Sequence, residues 1–175
     1  MTLSIRKLRI SDAKRVYELF ADDDILRYLS FQKKANSVRL DDELKYVKDA
    51  IKNYGLSKPK NLSMAIVLNG ALIGVMGLHK IDYAHEKAEI GYWIGKPYWG
   101  KGYASAALKL FLTFVYKRFR LNRLEAGVFL KNPASARVLE KNGFRYEGIR
   151  RQSLKKGNKY YDDKMYSLVK AEWKK

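Results

Sequence analysis

The 175-residue sequence contains no cysteine, which excludes disulfides, thiolate metal sites and a covalent cysteine intermediate. Any group transfer must then be direct or use another nucleophile. Histidine occurs only at His79 and His85, which do not stand at a metal-ligand spacing, so no metal is expected. No apolar stretch reaches the length of a membrane span, and the opening MTLSIRKLRISDAKRVYELF lacks an apolar run followed by a small-residue cleavage site. The expectation is a cytoplasmic protein with no membrane contact. Acidic residues are scarce, 18 against 36 lysines and arginines, for a formal charge of +18. Such a surface favours polyanions such as RNA, a ribosome or a phosphorylated cofactor. The lysines are scattered rather than gathered in one run, as genome composition or thermophily would also leave them.

With 47% hydrophobic residues and no repeat or low-complexity stretch, the chain has enough apolar material for one core, and residues 1–175 are expected to form one domain. Leu3 to Arg9 alternates apolar and basic residues like an edge strand, and Ser11-Asp12 offers an N-cap for a helix through Phe20. Asp22 to Leu29 reads as a short helical turn, and Ser37 to Asn53 as an amphipathic helix with Val38, Leu44, Val47 and Ile51 on one side. Strands Leu62 to Leu68 and Ala71 to Leu78 flank Asn69-Gly70, a two-residue hairpin signal that predicts an antiparallel pair. A strand over Lys87 to Gly95, an apolar helix over Gly102 to Phe119 and a strand over Arg123 to Phe129 follow. The remainder reads as a helix from Pro133 to Asn142 ending at Gly143, then strands Phe144 to Ile149 and Tyr160 to Val169. The predicted class is mixed α/β, a mostly antiparallel twisted sheet flanked by helices in three layers.

The junction GYWIGKPYWGKGYASAALKLF, Gly91 to Phe111, places Gly100, Gly102 and the small residues Ala104 and Ser105 between a strand and a long helix. Glycine there suits a sharp turn or a close approach of the backbone to a ligand. Several N–H groups then aim at one spot together with the positive end of the helix dipole, which makes an anion site with phosphate as its natural occupant. The spacing is neither that of a P-loop nor that of the dinucleotide fingerprint, since the third small residue, Ala104, comes one place too early. A tight turn whose glycines serve only helix packing is the plainer reading of the motif taken alone.

The Gly-x-Gly-x-Ala arrangement resembles the pyrophosphate loop of the GNAT superfamily, the acetyl-coenzyme A-dependent N-acetyltransferases. AEIGYWI (Ala88 to Ile94), LNRLEAGVFLKNPASARVLEKNGF (Leu121 to Phe144), YEGIRRQ (Tyr146 to Gln152), YYDDKMYSLV (Tyr160 to Val169) and DDDILRYLSF near the start are similar, in order and spacing, to the branch that acetylates ribosomal-protein N-termini. The resemblance covers nearly the whole chain.

It implies that acetyl-coenzyme A is the co-substrate. The strand before the loop should splay from its neighbour so that the pantetheine arm lies along Trp93, Ile94 and Gly95. The pyrophosphate should rest on the N–H groups of Gly100, Lys101, Gly102, Tyr103, Ala104 and Ser105. Trp99 stands at the loop start where arginine or glutamine is often found, a change that leaves the backbone donors in place. Asn132-Pro133-Ala134-Ser135 matches the Asn-x-x-Ser motif, in which asparagine bonds the cofactor arm and the small polar residue lies near the thioester. Either residue also fits as the cap of the following helix. Leu139 stands where many members carry a tyrosine that protonates the leaving thiolate, so Ser135 is expected to take that role, directly or through water. Glu89 matches the position of a general base in some relatives, and half-buried at an apolar gap its pKa would rise. A structural or substrate-orienting role for Glu89 stays open beside it. The backbone N–H near Ile94 is the expected donor to the thioester carbonyl.

An α-amino group with a pKa of about 7.7 to 8.0 is roughly a tenth or more neutral at pH 7, against well under about 0.1% for a lysine amine near 10.4. A site without a strong base therefore suits a protein N-terminus, in a ribosomal protein by the resemblance. Two alternatives stand. One is a small-molecule acceptor such as a polyamine or an antibiotic, with Asp22 to Asp24, Asp41, Asp42 and Glu43 offsetting the positive charge at the cleft. The other is an RNA- or ribosome-binding protein using Arg145 to Lys164 with Tyr146, Tyr160 and Tyr161. His79 is placed near the acceptor cleft, where it could assist deprotonation or simply be a satisfied strand residue, and His85 in an exposed loop. The chain is left as a monomer or a homodimer.

Overall fold

The Asn69-Gly70 turn sets the first half of the sheet. In the computed structural model, which describes residues 2–29 and 34–174, Asn69 and Gly70 have φ of 48° and 86°. Both are left-handed, as a two-residue hairpin joining right-twisted strands requires. The turn joins β2 (Leu62–Leu68) to β3 (Ala71–Asp82), with β1 (Leu3–Lys7) antiparallel on the outer side of β2. β4 (Lys87–Ile94), β5 (Arg123–Phe129), β6 (Arg145–Lys156) and β7 (Lys159–Val169) complete a seven-stranded sheet in the order β1-β2-β3-β4-β5-β7-β6. Every neighbouring pair is antiparallel except β4 and β5.

Alternation along the strands sends side chains to two helical layers. Leu62, Met64 and Ile66 of β2 pack with Met76, Leu78 and Ile90 against Ala107, Leu108, Phe111 and Val115 of α4 (Tyr103–Arg118) and Leu139 of α5 (Pro133–Glu140). Ala65, Val67 and Val75 face the other way, onto Val16 and Leu19 of α1 (Asp12–Phe20) and Val47 and Ala50 of α3 (Leu40–Gly55). The short α2 (Asp23–Leu26) joins Phe20 and Val38 in a third cluster that reaches Trp93. The sheet therefore has one face covered by α4 and α5 and another covered in part by α1, α2 and α3.

Several boundaries differ from the sequence reading, each for a local reason. Ser11 has helical φ and ψ and makes no capping bond. Instead the Asp12 carboxylate accepts the Arg9 N–H at 2.7 Å and both arms of the Arg6 guanidinium at 2.7 and 2.8 Å. α3 starts at Leu40, after a separate 3-10 turn over Ala35–Ser37. β6 runs on to Lys156 instead of stopping at Ile149, because irregularities near Gly148 and between Arg150 and Leu154 break its alternation without ending its pairing with β7. The DDDILRYLSF segment ends on Ser30 and Phe31, outside the described residues.

Candidate active site

β4 and β5 pair in parallel only through Lys87–Arg123, Ala88–Leu124 and Glu89–Glu125. Beyond Glu89 the two strands part. β4 keeps its other partner, β3, through Gly74–Ile94, and the Gly95 N–H donates to the Ile73 carbonyl at 2.9 Å. In an antiparallel ladder hydrogen-bonded and non-bonded pairs alternate, so Trp93 and Gly91 turn their backbone groups to β3 while Tyr92 and Ile94 turn theirs to the gap. Of the three strand residues expected there, Ile94 alone offers a backbone N–H. Gly95 spends its carbonyl on the Tyr98 N–H, and Trp93 sends its ring to the opposite face, 5.2 Å from the Phe20 ring. The Ile94 carbonyl accepts the Trp99 indole N–H at 2.6 Å. Trp99 thus pins the loop to the strand end, a role the sequence did not suggest.

At the gap's open end the chain makes a 3-10 turn over Lys96–Tyr98 and enters α4 through Gly100 and Gly102, with φ of 74° and 78°. Side-chain residues pay for that conformation, and glycine does not. A Cβ added at either position would meet no atom within 4 Å, so packing is not what keeps these residues small. The first-turn N–H groups of α4, Ala104 and Ser105 among them, have no carbonyl one turn earlier within the helix, and they point where the dipole is positive. Tyr103 opens the helix with its ring against the core. Lys101 folds back so that its ammonium donates to the Pro97 carbonyl at 3.0 Å.

α5 flanks the gap on the α4 side. Asn132 is its N-cap, its side-chain oxygen accepting the Ser135 N–H at 3.1 Å, so the capping role holds. That bond uses the amide oxygen and leaves the amide's own donors for another partner. The Tyr92 hydroxyl lies 3.0 Å from the Ser135 hydroxyl and 3.2 Å from the Ser135 carbonyl, and its one proton serves either of them. Desolvation pushes the Tyr92 phenol up to about 12, against a small opposing effect of the bond to Ser135. Leu139 is fully buried in the core and offers no proton. Asn142 donates to the Ser105 carbonyl and hydroxyl at 3.2 and 3.0 Å and to the Val138 carbonyl at 2.8 Å, locking the end of α5 onto the start of α4. Sequence reasoning missed Tyr92 and Asn142, since each acts through a residue roughly forty positions away.

The opposite face of the gap carries His79, Glu89, Glu125, Gly127, Arg150 and Asp163. Glu89 is not enclosed by apolar groups: its carboxylate accepts from the Lys80 ammonium at 2.9 Å, and its side chain is 37% exposed. Together with Lys80, Asp82, Lys87, Ala88 and Glu125 it lines a cavity of about 180 Å³. His79, across the strand pair from Glu89, lies over Gly91, where an added Cβ would come to 3.0 Å from Nε2. Desolvation lowers its pKa, with the Lys80 charge in the same direction and Glu89 opposing. Glu125 is held by Arg123 at 2.8 Å, and Arg123 also binds Glu147. The buried Asp163 carboxylate is bound by Arg150 and by the Ser153 hydroxyl, directly over Gly127. The β6–β7 hairpin reaches the N-terminal helices, where the Lys156 ammonium donates to the Arg27 carbonyl at 2.7 Å.

The acid run of α2 is used locally. Asp22 caps the helix through the Asp24 and Ile25 N–H groups, and Asp23 accepts from the Ala35 N–H at 2.9 Å. Asp24 binds Lys96 at 2.6 Å and Arg27 at 2.9 Å. Glu43 is buried. Among the described residues no group of three or more histidine, aspartate or glutamate side chains could hold a metal ion, and no helix is long and apolar enough to cross a membrane.

The acetyltransferase (GNAT) domain family matches residues 2–145. The chain belongs to the GNAT acetyltransferases. It is 32% identical over 173 residues, 98% of this chain and 93% of the other, to YdaF of Bacillus subtilis (strain 168), provisionally named a ribosomal N-acetyltransferase. It is 32% identical over 98 residues, 56% of this chain and 55% of the other, to the ribosomal-protein-serine acetyltransferase of Escherichia coli (strain K12). Among solved structures, RimL, the ribosomal L7/L12 alpha-N-protein acetyltransferase in complex with coenzyme A, superposes with a TM-score of 0.85 at 23% identity, covering 97% of this chain and 94% of that one. This GNAT protein is an N-acetyltransferase whose acetyl donor is acetyl-coenzyme A. The residues present fit that donor: open space at Gly100 and Gly102 and first-turn donors at Ala104 and Ser105 suit its phosphates. The gap-facing backbone of Tyr92 and Ile94 suits its amide-bearing arm.

Proposed function

We propose that this GNAT protein acetylates the α-amino group of a protein N-terminus, that of a ribosomal protein, in the cytoplasm and as one domain. The observation that carries this is the pairing of the carboxylates on the acceptor face. Glu89 is bound to Lys80, Glu125 and Glu147 to Arg123, Asp163 to Arg150 and Asp24 to Lys96. A face whose acids are already neutralised neither concentrates a polycation nor extracts a proton from a lysine amine near pKa 10.4. It suits an amine that is about a tenth neutral on arrival, as an α-amine is. Of the acids that would serve a polyamine, Asp22 to Asp24 are taken up by caps and ion pairs. The similarity to YdaF and to the ribosomal-protein-serine enzyme points to the same class of acceptor.

In this reading acetyl-coenzyme A supplies a thioester carbon open to attack by the neutral amine. The Ile94 N–H, directed into the gap, stabilises the oxyanion that forms, where a fixed donor is worth most because it needs no reorganisation. Asn132 turns its amide donors to the donor's arm, and Ser135 delivers a proton to the departing sulfur. Glu89 with Lys80 orders the water through which the amine sheds its proton. The hairpin carries Tyr146, Ile149 and Tyr160 exposed, with Lys155 stacked on Tyr160, and offers this surface to ribosomal RNA. Tyr161 is also exposed and meets the Phe129 ring edge-on.

Initial rates with acetyl-coenzyme A test the proposal, comparing a peptide with a free N-terminal serine or alanine, its N-blocked form and spermidine. Turnover of the free peptide alone supports it. Faster turnover of spermidine, or equal turnover of the blocked peptide, sinks it.

A further inference from the structure

Tyr92 stands on β4 where the strand leaves β5, and its side chain crosses to the first turn of α5. Its hydroxyl has two contacts there, the Ser135 carbonyl at 3.2 Å and the Ser135 Oγ at 3.0 Å. Asn132 fixes the same residue from the other side by accepting the Ser135 N–H at 3.1 Å. Ser135 is therefore held at its backbone by the cap and at its hydroxyl by a phenol from the strand that lines the gap. A serine capping its own helix would turn Oγ to the backbone N–H groups. Here Asn132 has that task, and Oγ is released toward β4.

We propose that Tyr92 is a positioning residue for Ser135, holding Oγ so that the serine's own proton is directed to the sulfur that leaves during acetyl transfer. A hydroxyl has one donor and two acceptor sites. The phenol has one proton and two acceptors within reach, the Ser135 carbonyl and Oγ; when it turns from the carbonyl to Oγ, the serine cannot donate back to the same phenol, and its proton faces the gap. The step balances as follows. The C–S bond breaks and sulfur keeps the electron pair. The Oγ–H bond breaks to form S–H, the phenol proton moves to Oγ, and water returns a proton to the phenol. That proton equals the one the acceptor amine loses when it becomes an amide. The phenol remains protonated throughout the neutral range, because burial disfavours its anion, so it serves as donor and never as competing base. A tyrosine at the Leu139 position is unnecessary in this arrangement, since the phenol reaches the same serine from the strand side.

The inference rests on the acetyltransferase reading but not on the identity of the acceptor, because every amine acceptor requires thiolate release. It is tested with Tyr92→Phe, Ser135→Ala and the double variant, using the best amine found for the wild-type protein. Tyr92→Phe is expected to lower kcat about tenfold with the KM for acetyl-coenzyme A nearly unchanged. The double variant should be no slower than Ser135→Ala alone, since the tyrosine acts through the serine. A second readout needs no turnover. The thiolate absorbance of bound coenzyme A should titrate at lower pH in the wild-type protein than in either single variant. Unchanged kcat in Tyr92→Phe, multiplicative losses in the double variant, or identical thiolate titrations would each overturn the inference. Failure of every N-terminal peptide as acceptor, with another amine accepted, would overturn only the proposed acceptor.

Discussion

The Glu89 carboxylate and the Lys80 ammonium sit 2.9 Å apart at the point where β4 and β5 separate. With the Glu89 carboxylate engaged by this ammonium, the rate should follow the ionisation of the acceptor amine. With an N-terminal peptide, kcat/KM is expected to rise with pH to a plateau near about 8, the α-amine range, in both wild type and Glu89→Gln, with only a lower plateau in the variant. A rising limb that disappears with the glutamine would assign the base to Glu89 instead. The residues that make this site were legible in the sequence where chemistry is local: the glycine turn, and the Asn132 cap with its Ser135 partner three positions on. Tyr92 was not legible, because a tyrosine in an apolar strand reads as core until α5 brings Ser135, 43 positions later, to its hydroxyl. The pairing of Glu89 with Lys80 was hidden for a similar reason, since it needs the β3–β4 register.

Among the elements, the β6–β7 hairpin links both sides of the acceptor groove. Its anchor is Asp163, fully buried and bound by Arg150 and Ser153 above Gly127. Removing the cation while the carboxylate stays buried leaves a charge without a partner. Arg150→Ala should therefore destabilise the protein by about 3 kcal/mol, read from the denaturant midpoint. α4 carries the opposite kind of defect. The Tyr116 hydroxyl is buried without a hydrogen-bond partner among the described residues, beside the Trp173 ring. Tyr116→Phe should raise stability by about 1 kcal/mol, because it removes a desolvated polar group and little else. A fall in the melting temperature would show that the hydroxyl has a partner in solution. β2, the start of β3 and their turn followed from Asn69-Gly70, and the extent of β5 agrees with its sequence reading, whereas β3 runs past Leu78 to Asp82. The extent of β6 does not agree, because its bulges shift the pattern of faces and a simple period-two reading stops at Ile149.

For the whole molecule, 36 basic against 18 acidic residues make each carboxylate a scarce partner, and the structure distributes them as pairs. Asp12 shows the consequence for stability. Burial pushes its carboxyl up, but the Arg6 guanidinium, the Arg9 N–H and both arginine charges together hold it below its ordinary value. Glu147, bound by Arg123 and Ser167, is likewise lowered. A carboxylate whose pKa is depressed in the folded state contributes stability that is complete above its unfolded pKa, about 4, and is lost as pH falls through the folded value. Burial also holds His79 below its ordinary value, so stability to urea is expected to decline as pH falls below about 6.5 and to decline further below about 4, the lower limb less steeply for Asp12→Asn. An upper limb that persists unchanged in His79→Gln would place the sensitive group elsewhere.

Whether this GNAT protein acetylates α-amines is decided by which nitrogen receives the acetyl group. A single peptide with a free N-terminal serine and an internal lysine is incubated with acetyl-coenzyme A and the protein, and the acetylated nitrogen is located by fragmentation mass spectrometry. Acetyl is expected on the N-terminal nitrogen with the lysine unmodified. Acetyl on the lysine ε-nitrogen would contradict it, because the paired carboxylates of the acceptor face would then have deprotonated an amine that they are arranged to leave charged.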